Sequence, residues 1–250
     1  MRVFLTLLRR EWLAYVYAPS MYWVVVIFLL LMGTSFGMMV HILAEGAATG
    51  SVVRMLIGES LFFWLAMLMV VPMITMRQFA EERKLGTVET LLTAPVGDVA
   101  IVLAKFSAAW VFFLMLWLPT AAYAWLLARI SPESAPIDFS ALMTSYIGIA
   151  AMGAFFIAIG LLASSLTSNQ AVAAVITFAV LCGYFFWGFM PQFGRGVQLQ
   201  EVGRYTSSLM HMLEFSRGVL DTRPLVFYLS VTLFLLFSTV KVVEAQKWRS

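Results

Sequence analysis

One stretch governs what this chain can fold into. From Phe139 to Gly194 there is no Asp, Glu, Lys or Arg, a run of 56 residues. That is too long for a single membrane crossing, which takes about 20 residues. It is also too apolar for a soluble domain, which needs a charged skin over its core. The whole chain agrees: 62% of its 250 residues are hydrophobic and 12% are charged, against roughly 25% charged in ordinary soluble domains. A soluble enzyme, a disordered protein and a nucleic-acid binder are excluded on these grounds. A net charge of +3 would suit a nucleic-acid surface in a polar chain. Here it records basic residues at a membrane surface. The one cysteine, Cys182, leaves no disulfide within the chain.

Charge-free stretches predict six spans in one domain, 1–250. They are about Met21–Leu43, Met55–Met76 with Glu59 near its start, and Val99–Ala128 with Lys105 one to two turns inside. The 56-residue run supplies two more, broken at Ser164-Ser165-Leu166-Thr167-Ser168-Asn169-Gln170, and the sixth is about Pro224–Val240. Hydrocarbon satisfies no backbone polar group, so the spans are expected to be helices. The ten-residue alternation of a barrel is missing. Six spans put both termini on one side. With that side cytoplasmic, it collects Arg2, Arg9, Arg10, Arg77, Arg83, Lys84, Lys105, Lys241, Lys247 and Arg249, against Arg54, Arg129, Arg195, Arg204, Arg217 and Arg223 opposite. Ten against six has the sign of the positive-inside rule. The first apolar stretch begins only after Pro19 and is too long for a signal-peptide core.

Three segments are not explained by spanning. In residues 1–17, Arg2, Thr6, Arg9 and Arg10 share one helical arc, and Phe4, Leu7, Leu8, Trp12 and Tyr15 the other. This pattern predicts an interfacial amphipathic helix. Glu11 falls in the apolar arc, either snorkelling to water or paired with a basic residue of a neighbouring segment. The loop 77–98 turns at Gly86 and offers Thr87 as the cap of a short helix, Val88–Leu92. Val88, Leu91 and Leu92 share one face of that helix; Glu89 and Thr90 share the other. Residues 191–223 are long for a connection and too apolar for a free loop. Leu209, Met210, Met212, Leu213, Phe215, Val219 and Leu220 recur at helical spacing, which predicts two short helices dipping partway into the membrane.

Gly33-Thr34-Ser35-Phe36-Gly37 fits the G-x-S-x-G nucleophile pattern, but the histidine nearest in sequence to Ser35, His41, is about 240° away around the helix, and His211 is remote. Gly33 and Gly37 read better as a flat face for helix packing, as do Ala150, Ala154 and Ala158. Two distant histidines and one cysteine make a poor metal set, so no metal site is expected. No phosphate-binding G-x-x-x-x-G-K-[ST] occurs. No span carries a mid-membrane charge for an ion relay, so any energy must come from a partner.

Four stretches carry a resemblance. They are R-R-E-W-L-A-Y-V-Y-A-P-S-M-Y at 9–22, F-A-E-E-R-K-L-G-T-V-E-T-L-L-T-A-P-V at 79–96, S-S-L-T-S-N-Q at 164–170 and H-M-L-E-F-S-R-G-V-L-D at 211–221. The chain resembles the permease subunits of prokaryotic type-2 ATP-binding cassette (ABC) transporters, most of all the gliding-motility-type permease. The resemblance implies an all-α membrane protein with an elbow helix at 1–17 (Arg9, Arg10, Glu11, Trp12), a coupling segment at 77–98, and an outer re-entrant segment at 191–223. Lys105 stands at the family's usual lysine.

It further implies a non-enzymatic permease in the prokaryotic inner membrane. Two copies of a cytoplasmic ATPase would pair with this chain and a second permease copy or paralogue, amid membrane lipids. ATP and Mg would bind the ATPase, no cofactor this chain, and an extracytoplasmic accessory subunit is admitted. By the same likeness Val88, Leu91 and Leu92 fill a groove on the ATPase, and Glu81, Glu82 and Glu89 meet its basic rim, with Arg83, Gly86 and Thr87 completing the segment. His211, Phe215, Arg217 and Asp221 form an exit gate or merely anchor the re-entrant helices. Export of a lipid-like or amphipathic cargo is the expectation. A machine for motility or envelope remodelling that moves no solute stays open, and so does a passive channel without an ATPase.

Overall fold

The computed structural model describes residues 2–45, 52–84, 97–130, 138–189 and 197–247. Every regular element among them is helical, and six helices are long and apolar enough to cross a membrane. Helix α1 covers Arg2–Tyr17. Ala18 is extended (φ −77°, ψ 117°) because the residue before a proline is pushed out of the helical region. Pro19 then opens α2, Pro19–Ala44, at a position whose N–H would go unused anyway.

A π-helical turn, Arg54–Gly58, precedes α3, Leu61–Thr75, and a short turn leads into α4, Ala80–Lys84. Helix α5 runs Asp98–Ile130, α6 Phe139–Leu166 and α7 Gln170–Trp187. Two short helices follow, α8 at Val197–Thr206 and α9 at Ser208–Phe215, before α10 at Thr222–Lys247. Side-chain caps set several starts. Asp138 accepts from Ser140 N at 2.9 Å, and Asn169 from Ala171 N at 2.9 Å. The break expected at 164–170 falls between α6 and α7, at the Asn169 cap.

The second span begins later than the charge pattern suggests. The structure starts it at Leu61, not Met55, and continues it to Lys84. Ser60 caps α3 through Phe63 N, which ends the preceding π turn and leaves Glu59 outside the span, paired with Arg54. A carboxylate in a bend keeps access to water that it would lose inside the helix. Helices α3 and α5 both run on through internal prolines, Pro72 and Pro119.

Helix α6 is the centre of the bundle and packs against α3, α5, α7, α9 and α10. Of its most apolar window 72% is buried, against 17% for α7. Glycines make the close approaches. A Cβ at Gly160 would collide with Thr75, one at Gly153 with Phe113, and one at Gly148 with Phe215. Small residues allow such contacts where there is no hydrophobic force between helices in lipid. At Gly37 a Cβ would meet nothing within 4 Å, and at Gly33 only the Tyr123 hydroxyl at 3.9 Å. Ala158 is buried, while Ala150 and Ala154 are half-buried. The main cluster of buried aromatics joins α2, α3 and α5: Phe28 meets Trp117 edge-on at 5.0 Å, and Phe63 lies 5.4 Å from the same ring.

Gly160→Leu is expected to cost at least about 1–3 kcal/mol through overpacking against Thr75. Gly37→Leu should leave the fold of the single chain unchanged. Melting temperatures of the two variants in detergent provide the check.

Candidate functional site

The α1 end of the bundle gathers charge where apolar spans would least tolerate it. Lys105 lies two turns into α5 and is 2% exposed. Its Nζ donates to Glu82 Oε1 at 2.9 Å and to Glu11 Oε2 at 3.2 Å, and lies 5.3 Å from the centre of the Phe79 ring. Arg10 Nη2 donates to Glu11 Oε1 at 2.7 Å and to Glu82 Oε1 at 3.2 Å. Two cations thus meet two carboxylates, and the cluster is neutral as a whole. Burial of charge is tolerated on such terms, with each partner held by hydrogen bonds. Of the two readings of Glu11, the paired one holds. The apolar arc of α1 faces α5, where Tyr15 stacks on Phe112 at 5.0 Å, so the carboxylate on that arc reaches the buried ammonium.

The segment 76–84 is fastened on every side. Ser164 Oγ, at the end of α6, accepts from Phe79 N at 3.0 Å and Ala80 N at 3.2 Å, and donates to Met76 O at 3.3 Å. Arg77 grips Glu81 with two nitrogens, at 2.8 and 3.0 Å, and donates with its third to Ser20 of α2. Arg83 Nε donates to Gln246 Oε1 of α10 at 3.1 Å. The Gln246 amide in turn donates to Ser165 O at 3.0 Å. Tyr15 donates to Ile74 O at 3.1 Å and accepts from Gln78. A five-residue helix has little stability of its own; these ties hold α4 in place.

The structure therefore brings Arg10, Glu11 and Glu82 together at Lys105. Glu81 joins Arg77 instead, and Arg83 joins Gln246. Arg9 is exposed and Trp12 leans on Phe112 at 6.4 Å. Gly86, Thr87, Val88, Glu89, Leu91 and Leu92 lie outside the described residues. Sequence reasoning missed Gln78, Ser164 and Gln246 as fasteners. Arg77 and Glu81 carried a usable signal, an i,i+4 pair of opposite charges.

At the opposite end, His211 and Phe215 point inward while Arg217 is exposed and Asp221 accepts from Arg223 N at 2.9 Å. Arg217 stands apart on the exposed side, while Asp221 is near enough to act on His211 by its charge. His211 starts a buried polar chain. Its Nδ1 lies 3.0 Å from Tyr228 Oη, Tyr228 donates to Ser208 Oγ at 2.9 Å, and Ser208 to Tyr184 Oη at 3.2 Å. Burial pushes the His211 imidazole down to about 4, against a hydrogen bond to the Tyr205 backbone and the pull of Asp221. Ser35, the residue in the nucleophile-like pattern, shares a hydrogen bond with Ser60 at 2.7 Å. Among the described residues no three His, Cys, Asp or Glu side chains are grouped to hold a metal.

A family model described as ABC-2 family transporter protein matches residues 33–208. No curated protein matches the chain.

Lys105→Met leaves Glu11 and Glu82 with Arg10 as their one shared cation, a net negative charge in a half-buried cluster, and is expected to cost about 3 kcal/mol. Adding Glu11→Gln should recover part of that loss, read from denaturation midpoints of the purified protein. For His211, the unfolded chain takes up a proton near pH 6.5 that the folded chain refuses until about pH 4. Its contribution to stability is full above pH 6.5 and is lost as pH falls toward 4. His211→Asn should flatten that decline in melting temperature.

Proposed function

The chain belongs to the ABC-2 transporter family as a transmembrane permease subunit, and on that premise we propose that residues 77–98 couple it to a separate ABC ATPase. Membership of the family implies such an ATPase partner in general. The α1 end of the bundle is then the cytoplasmic one, in a prokaryotic inner membrane, with α1 as the elbow helix at the lipid surface. Two permeases would stand on two ATPases, which bind ATP and Mg.

The observation that carries this reading is the fastening of 76–84. A handle transmits force only if its stem is rigidly joined to what it moves. The stem is tied to α1, α2, α5, α6 and α10 through Arg10, Tyr15, Ser20, Lys105, Ser164 and Gln246. Motion delivered to 85–96 would pass through Glu82 and Lys105 into α5 and through Ser164 into α6, the most buried span. Val88, Leu91 and Leu92 serve as apolar anchors inside a charged edge formed by Glu89 and its neighbours.

At the far end, α8 and α9 read as the re-entrant pair, with His211 and Phe215 holding α9 against α6 and α10. We take the transport direction as export and the cargo as amphipathic, and place the chain nearest the gliding-motility-type permeases on the four stretches quoted above.

Glu89→Lys and Leu92→Asp are each expected to reduce co-purification of the ATPase at least tenfold, a change of about 1.4 kcal/mol or more. Substrate-stimulated ATPase should fall with it. Unchanged co-purification and unchanged stimulation in both variants would overturn the coupling role.

A further inference from the structure

A cleft of about 650 Å³ opens between α1, α2, α3 and α5, and its wall includes Arg10, Arg77, Gln78, Glu81 and Glu82. A second hollow of about 260 Å³ lies beside it along α2 and α5, lined by Val25, Phe28, Leu29, Phe112, Met115 and Pro119. Tyr15 and Met21 line both. The first has charged groups of both signs; the second is almost wholly apolar. A charged chamber beside a greasy one is the negative image of a lipid. From Met21 to Leu29 the apolar part follows α2 for about 12 Å, at 1.5 Å per residue, within a helix apolar enough to span a membrane.

The charged part is selective. Gln78 is 5% exposed, and its Oε1 has no hydrogen-bond partner. The orientation of the amide follows from its neighbours. Tyr15 gives its one proton to Ile74 O, so Gln78 must present N–H to the Tyr15 oxygen. Its carbonyl is left over as a buried acceptor in want of a donor, a costly state unless something supplies one. Beside it, Glu81 and Glu82 are further acceptors, and Arg10, half-exposed, is the accessible cation.

We propose that this bipartite cavity is a binding site for a phospholipid with a primary-amine headgroup, such as phosphatidylethanolamine. The phosphate lies against Arg10 and Arg77, the ammonium donates to Gln78 Oε1 and the Glu81–Glu82 edge, and one acyl chain fills the hollow between α2 and α5. A choline headgroup has no N–H to give and leaves Gln78 unsatisfied. A glycerol headgroup brings net negative charge next to two carboxylates. The bound lipid wedges between α1 and the spans, beside the Lys105 cluster. The site requires only that the chain crosses a membrane, so failure of the coupling test leaves it standing.

Native mass spectrometry of the purified full-length chain, titrated with POPE, POPC or POPG, tests this. POPE should be retained about tenfold over POPC, as one hydrogen bond to a charged donor would give, and above POPG. Gln78→Leu should lower POPE to the level of POPC. Val25→Trp, which fills the apolar hollow without touching the headgroup chamber, should cut retention of all three lipids. Equal retention of POPE and POPC by the unaltered protein means annular lipid only and overturns the proposal. So does POPG retained above POPE, which would mean recognition by charge alone. Unchanged retention in Val25→Trp would equally overturn it.

Discussion

A single ammonium group organises one end of this molecule. Lys105 sits where α5 has already begun to bury itself, so its charge has to be met by side chains rather than by water. Glu11 and Glu82 meet it, and Arg10 restores neutrality. Residues from three helices far apart in sequence are thereby fixed relative to one another. The same cluster explains why α1 lies on α5 with its tyrosine and tryptophan inward, and why the short helix α4 exists at all. An apolar replacement of all four would pack as well and hold as firmly. What it would lose is a defined register between α1, α4 and α5, since ion pairs accept far fewer arrangements than greasy contacts do.

The rest of the bundle is organised by proximity rather than charge. Helix α6 is nearly enclosed, and it achieves this by omitting side chains at Gly148, Gly153 and Gly160, where neighbours press in. Helices α2, α7 and α10 are the thinly covered ones, with 28%, 17% and 33% of their windows buried. Their outward rows of valine, leucine and phenylalanine are what hydrocarbon solvates well. The fold is thus graded from a glycine-notched centre to a lipid-facing rim.

Much of this was legible in the residues. Charge-free runs gave all six spans, because burying even one charge in hydrocarbon costs several kcal/mol. The polar run at 164–170 gave the division between α6 and α7, since Asn169 is a good cap. The amphipathic pattern of residues 1–17 gave α1 as a helix, and the misplaced Glu11 left two readings open, a snorkelling carboxylate and a paired one. What stayed hidden depended on distance along the chain. Nothing local says that Glu11 meets a lysine 94 residues later, or that Gln246 closes on Arg83. Small-residue spacing drew attention to Gly33 and Gly37, yet spacing cannot tell which glycine has a neighbour, and Gly160 does while Gly37 does not. The start of α3 was misjudged because Glu59 seemed a tolerable flaw in a span, whereas Ser60 opens the helix after it. The family likeness grouped His211 with Arg217, and the turn between them buries the first and leaves the second exposed.

The hydrogen bond from Arg83 to Gln246 spans 163 positions and joins the second membrane hairpin to nearly the last turn of α10. During synthesis the spans can enter the bilayer and pair in order, but this clasp cannot close until residue 246 has left the ribosome. Until then α4 hangs from α1, α5 and α6. The nascent chain therefore carries this end of the bundle unclasped until all six spans have been made.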